Sequence, residues 1–80
     1  KQINDREFIF SGRREIDYLN EKYQLKLPES DEYETLAGLI IHNHESIPAL
    51  DDQINIKNLT FEILEASETR IEKVRLIFNE

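Results

Sequence analysis

The stretch EFIFSGRREIDYLNEKY, Glu7 to Tyr23, changes its hydrophobic period halfway along. Glu7-Phe8-Ile9-Phe10 alternates, with Phe8 and Phe10 on one face, and Ser11-Gly12 closes it, which is the pattern of a short strand ending in a turn. From Arg14 to Tyr23 the apolar residues Ile16, Leu19 and Tyr23 fall at i, i+3 and i+7. That spacing makes one stripe of an amphipathic helix. Glu15 and Asp17 stand in its first turn, where acids complement the helix dipole. A strand feeding directly into a helix sets a mixed class, and the order of the later elements decides which one.

Downstream, Leu25 and Leu27 alternate up to Pro28, and residues 29–34 are mostly acidic. Asp31 and Glu34 have the spacing of a capping pair, so the sequence predicts a second helix starting there. Tyr33, Leu36, Ala37, Ile40 and His44 lie along its stripe, widened by Leu39 and Ile41, and Pro48 ends the segment. Gly38 inside a helix costs roughly 1 kcal/mol relative to alanine, which calls for a packing reason. The last third alternates three times, as Ile54 and Ile56, as Leu59, Phe61 and Ile63, and as Ile71 to Phe78, with turns at Asn58 and Ser67-Glu68-Thr69. Three strands in succession read as an antiparallel meander. In the final strand Val74, Leu76 and Phe78 share one parity while Ile71 and Ile77 share the other, which predicts a bulge near Glu72-Lys73 or a second covered face. The expected fold is α+β: a small antiparallel sheet of about four strands, in the order strand-helix-helix-strand-strand-strand. Two helices pack on one face, and the first strand lies beside the last.

Length and composition narrow the function. Eighty residues with 17 acids and 10 bases carry a net charge of −7 and a pI near 4.8. One domain spanning residues 1–80 is the expected count, burying roughly 60% of its unfolded surface, which leaves little room for an enclosed catalytic chamber. Scattered, outnumbered Lys and Arg argue against nucleic acid and anionic lipid as partners. Cysteine is absent, so neither disulfides nor a thiolate zinc site stabilise the fold. The longest apolar run, Leu36 to Ile41, is far short of the roughly 20 residues of a spanning helix, so this segment is not expected to insert into a membrane. The chain begins at Lys1 without methionine, as expected of a piece of a longer polypeptide.

Several runs together carry a resemblance: SGRREIDYLNE from Ser11, LPESDEYETLAGLII from Leu27, Ser46-Ile47-Pro48 with Asp52, LTFEILEA from Leu59, and IEKVRL from Ile71. In that order they resemble the transporter-associated CorC/HlyC domain over nearly the whole chain. The resemblance implies the C-terminal module of a hemolysin-like or magnesium and cobalt efflux protein, on the cytoplasmic side of an integral membrane protein. Its partners would be the membrane domain and the nucleotide-responsive CBS pair of the parent chain. One departure stands out. The family usually has a glycine before the Ile-Pro turn and one just after, where this chain has Glu45-Ser46 and Asp51-Asp52.

The implied role is a non-enzymatic accessory domain modulating ion transport through protein contacts, with no cofactor, no catalytic residue and no metal ligand expected. The alternative is a small-ligand sensor for an adenine nucleotide, a flavin or a divalent cation. His42 and His44, two apart, lie about 200° apart around a helix and cannot grip one ion together. The acids at residues 29–34 lack the glycine turn of a calcium loop and read as helix-capping groups. Candidate partner-contact residues are Arg13 and Arg14, which follow Gly12 and suit a phosphate or an acidic surface, and Ile71, Arg75 and Ile77 on the last strand. Ile71 and Ile77, with the free edge such a sheet must have, also point to a homodimer.

Overall fold

A computed structural model describes residues 2–45 and 47–79. Six elements occur in the order β1 (Glu7–Ser11), α1 (Ile16–Tyr23), α2 (Leu36–His44), β2 (Gln53–Ile56), β3 (Leu59–Ala66) and β4 (Ile71–Phe78). The strands form one antiparallel sheet in the order β1-β4-β3-β2, so the first strand does lie beside the last. Register puts Phe8 opposite Leu76 and Phe10 opposite Val74, and across β4 puts Phe61 and Ile63 opposite the same two residues. These rows, with Ile54 and Ile56 of β2, make the face that meets Ile16, Leu19, Leu36, Leu39 and Ile40 of the helices in one core.

The conflict of parity in β4 is resolved by a double irregularity. Between the pairs Ile63–Val74 and Glu65–Lys73 the β3 residue Leu64 is extra, and between Glu65–Lys73 and Ala66–Ile71 the β4 residue Glu72 is extra. Skipping Glu72 turns Ile71 to the same face as Val74 and Leu76. Ile71 is therefore 1% exposed and belongs to the core, which corrects its assignment as a partner contact.

Both helices start later than the sequence predicts, and for one reason. Rather than Asp31 and Glu34, it is Thr35 that caps α2, its hydroxyl accepting from Gly38 N–H at 3.1 Å. The remaining first-turn donors bond to the chain leading into α1: Leu36 N–H to the Arg14 carbonyl and Ala37 N–H to the Gly12 carbonyl, both 2.9 Å. In return Ile16 N–H donates to the Glu34 carbonyl at 2.8 Å. Residues 12–16 and 34–37 are thus tied beside each other, with Glu15 and Thr35 forming a single antiparallel bridge, and α1 cannot begin before Ile16. Gly38 has its packing reason too, because a Cβ there would stand 2.9 Å from Tyr33 Cβ.

Gly12 sits where no side chain fits. An added Cβ would overlap the Ile71 carbonyl oxygen and come within 3.2 Å of Ala37 Cβ, while Gly12 N–H donates to the Glu72 carbonyl at 3.1 Å. Leu25 and Leu27 are not in a strand; they enter the core from a connection in which Gln24 and Lys26 both have positive φ. Asn20 replaces the missing strand partner, its amide donating to the Leu27 carbonyl at 3.0 Å and its oxygen accepting from Leu27 N–H at 2.7 Å. Glu45 and Asp51 are left-handed, with φ of 69° and 70°. Both fall in the regions around the Ile-Pro turn where the resemblance implies glycine; Ser46 lies outside the described residues.

Two stability changes of opposite sign are expected. Gly12→Ala forces backbone against backbone and should cost about 2–3 kcal/mol, lowering Tm by roughly 10 °C or more. Asp51→Gly removes the cost of a left-handed non-glycine residue, about 1 kcal/mol, part of which the greater freedom of glycine in the unfolded chain offsets. Thermal unfolding should show its Tm unchanged or raised by a few degrees, and a fall comparable to that of Gly12→Ala would contradict this reading of the turn.

Candidate functional site

The sheet face turned away from the helices carries a charge network laid across its strands. In register, Ile9, Arg75, Glu62 and Gln53 form one row, Glu7, Ile77, Thr60 and Asn55 the next. Arg75, on the inner strand β4, reaches carboxylates on both neighbours: its Nη1 donates to Glu7 Oε2 at 3.2 Å, and its Nε lies 3.0 Å from Glu62 Oε1. The Nε is buried and the Glu62 contact lacks hydrogen-bond alignment, so it is an ion pair without a directed bond. Lys73 pairs with Glu65 at 2.9 Å at one end. At the other, Asn79 donates to the Thr60 hydroxyl and Thr60 to Asn55. Ile9 and Ile77 stand half-buried among these groups.

The Glu7 carboxyl is held below its ordinary value, first by the Asn4 side-chain amide that donates to it at 2.9 Å and then by Arg75. Of the candidate contact residues, Arg75 and Ile77 therefore share this open face. Arg13 and Arg14 are elsewhere, in the turn between β1 and α1, and Arg13 N–H donates to the Ser11 hydroxyl. Ile71 is in the core.

α1 is flanked by two clefts of opposite character. On one side about 130 Å³ is lined by Glu15, Asp17, Glu29, Ser30, Tyr33 and Glu34. On the other, about 110 Å³ between α1 and β1 is lined by Ser11, Arg14, Tyr18, Lys22 and Tyr23 over Phe10 and Leu19. The guanidinium of Arg14 and the ammonium of Lys22 each lie 5.7 Å from the Tyr18 ring centre, and Lys22 donates to the Tyr18 hydroxyl at 3.2 Å. That hydrogen bond holds the Lys22 ammonium above the usual lysine range against the opposing charge of Arg14. Nothing in the sequence periodicity brings Lys22 forward; the signal available was its i, i+4 spacing from Tyr18 and that of Tyr18 from Arg14.

The acidic run at residues 29–34 forms a turn rather than a cap, with the Ser30 hydroxyl accepting from Glu32 N–H and Tyr33 donating to the Pro28 carbonyl. His42 lies 3.4 Å from Glu32 and packs beside Tyr33, whereas His44, expected near the apolar stripe, is exposed. Among the described residues no three His, Cys, Asp or Glu side chains are gathered to hold a metal ion, and no helix is long and apolar enough to cross a membrane. Around the Ile47-Pro48 motif, Pro48 is buried and Leu50 is 57% exposed, lining an open groove with Ile47 and Ala66. The Asp52 carboxylate closes that loop by accepting from Ala49 N–H at 2.8 Å.

The depressed Glu7 carboxyl sets a pH dependence. Its contribution to stability is complete above the ordinary value of 4.5 and is lost as pH falls through the lower folded value. Urea unfolding of the protein and of Glu7→Gln should differ most near neutrality and converge in acid, and a gap that widens in acid would contradict the assignment.

The family model of the transporter associated domain, CorC_HlyC, matches residues 1–80. A curated relative, "Possible hemolysin C" of Rickettsia canadensis, is 32% identical over 77 residues, 95% of this chain and 26% of that protein. The chain thus spans about a quarter of the length of the curated relatives it matches. A hemolysin domain from Enterococcus faecalis has the same fold, with a TM-score of 0.83 at 29% identity, over 100% of this chain and 96% of that one. The same domain from a Xylella fastidiosa hemolysin, in complex with Mg and Mn ions, superposes with a TM-score of 0.79 at 25% identity, over 100% and 96% of the two chains.

Proposed function

The chain belongs to the transporter associated domain family, and from that membership we propose that it is a non-enzymatic accessory domain of a hemolysin-like or magnesium and cobalt efflux transporter. It modulates ion transport through contacts with the CBS-pair and membrane domains of its parent, on the cytoplasmic side. The observation that carries this reading is the open sheet face. Two helices cover one side of the sheet, and the other presents Ile9 and Ile77 at half burial around an Arg75 paired with two carboxylates. Ordered apolar side chains within self-paired charges suit a protein partner, since docking there desolvates few unpaired groups. A homodimer through the same face is the variant of this reading in which the partner is a second copy.

The rival reading is a small-ligand sensor. The observation favouring it is the Mg and Mn complex of the Xylella relative, together with the acidic cleft of Glu15, Asp17, Glu29 and Glu34. Against it, these carboxylates are not gathered into a coordination set. A ligand bound to the folded state raises stability by RT ln(1 + [L]/Kd), so a melting screen with Mg, Mn, adenine nucleotides and flavins decides it: no shift with any of them removes the rival.

For the leading reading, Ile77→Asp and Arg75→Glu are placed in the full-length parent and metal efflux is measured in vesicles. Each should reduce the effect of the domain on transport by several-fold, as loss of a buried contact does. The isolated variants should still unfold cooperatively. Unchanged transport and assembly, both for these variants and for a parent lacking residues 1–80, would overturn the proposal.

A further inference from the structure

Most cations in the charge network have a carboxylate. Arg75 has two and Lys73 has one. Arg14 and Lys22, like Arg13, Lys26, Lys57 and Arg70, have no ion pair among the described residues, and what sets these two apart is the phenol they share. Among the described residues no carboxylate lies within ion-pair distance of either, in a chain holding 17 acids. Both are instead turned onto one phenol. Tyr18 stands four residues after Arg14 and four before Lys22, the position from which a glutamate would pair with both. The two positive charges consequently face the same 110 Å³ cleft, and Lys22 Nζ is also 5.6 Å from the Tyr23 ring centre. The nearby acid Asp17 lines the cleft on the opposite flank of α1.

We propose that the cleft between α1 and β1 binds the phosphoryl group of a phosphorylated ligand, with Arg14 and Lys22 as its cationic contacts. A phosphoryl group needs several donors converging on a tetrahedron. Arg14 supplies a planar fork that can bond two oxygens, Lys22 a point charge with two N–H groups beyond the one given to Tyr18, and Ser11 and Tyr23 supply hydroxyls. Phe10 and Leu19, buried beneath these groups, close the cleft toward the core and keep water from that side. The cleft has the volume of a single oxyanion rather than of a whole nucleotide. The rest of the ligand would project past Tyr18, which is 42% exposed. Ile9 of the open sheet face also borders this cleft, but Arg14 and Lys22 stand apart from Arg75 and Ile77, so substitutions of the two pairs test the two readings independently.

The test uses the 80-residue chain at fixed ionic strength, followed by amide NMR shifts and tyrosine fluorescence. Inorganic phosphate, AMP and vesicles of phosphatidylcholine with phosphatidic acid are titrated separately, with acetate as the control anion. The expected result is saturable shifts confined to Ser11, Arg14, Tyr18, Lys22 and Tyr23. Tightest binding by phosphate, by AMP or by the vesicles identifies the source as free anion, metabolite or lipid headgroup. Arg14→Gln and Lys22→Gln should each weaken binding by about tenfold, and Tyr18→Glu, which supplies an internal carboxylate, should abolish it. Arg14→Gln keeps the backbone carbonyl that bonds Leu36, so folding is preserved. Acetate binding as tightly as phosphate, shifts scattered over the lysines at large, no saturation with any probe, or full binding by Tyr18→Glu would each overturn the proposal.

Discussion

Three backbone hydrogen bonds between residues 12–16 and 34–37 are the constraint on which the rest of this structure depends. A helix leaves its first N–H groups without partners. In α2 these are supplied by the Gly12 and Arg14 carbonyls and the Thr35 hydroxyl, so the start of α2 is fixed by the chain entering α1. Because Gly12 also donates to Glu72 of β4, the same few residues tie both helices to the sheet. A side chain at residue 12 would push the Ile71 carbonyl and Ala37 apart and so separate these layers. This explains why glycine stands there, next to two arginines, without any phosphate-loop geometry.

That junction also determines how the sheet divides into two faces. With the helix layer fixed, apolar residues of one parity are buried, and residues of the other must either pair or meet something else. β4 would break the rule at Ile71, and the extra residues Leu64 and Glu72 restore it. The aromatic contacts depend on the same placement. Tyr23 at the end of α1 packs 5.3 Å from both Phe8 and Phe10, and Phe8 also meets Phe78 at 6.3 Å, so β1 is held from the helix side and from β4. Each such pair adds about 1 kcal/mol beyond the area it buries.

Elements whose side chains keep a single period were legible in the sequence. The alternation of Phe8 and Phe10, the stripe of Ile16 and Leu19, and the meander from Ile54 to Phe78 report burial directly, and the parity conflict left a bulge near Glu72-Lys73 or a second covered face, of which the structure has the bulge. The features that could not be read depend on backbone partners distant in sequence. Asp31 and Glu34 have capping spacing, yet Thr35 is the cap and two further donors of α2, Leu36 and Ala37 N–H, are satisfied by residues more than 20 positions earlier, a pairing that carries no local signal. Leu25 and Leu27 alternate like a strand, but left-handed Gln24 and Lys26 bend the segment, and Asn20 alone supplies its ladder partner. The positive φ at Lys57, Glu45 and Asp51 is equally silent, since none of these is glycine. Of the candidate site, the arginines were visible as residue types, whereas Lys22 becomes part of it only once α1 is laid against β1.

The two charged surfaces differ in what they can recognise. On the open face each charge already has its partner at 2.9 to 3.2 Å, and exposed pairs of this kind contribute less than about 1 kcal/mol each. Selection there must come from the shape and apolar area of Ile9 and Ile77, and should depend only weakly on salt. In the α1–β1 cleft the balance is reversed. Two cations with no carboxylate in ion-pair reach among the described residues share one phenol, and their field acts at a range comparable to the Debye length of about 8 Å at physiological ionic strength. A net charge of −7 repels anions from the molecule as a whole, so an anion can be held only where the local field opposes the global one. That requirement is what lets an acidic protein hold an anion at this cleft.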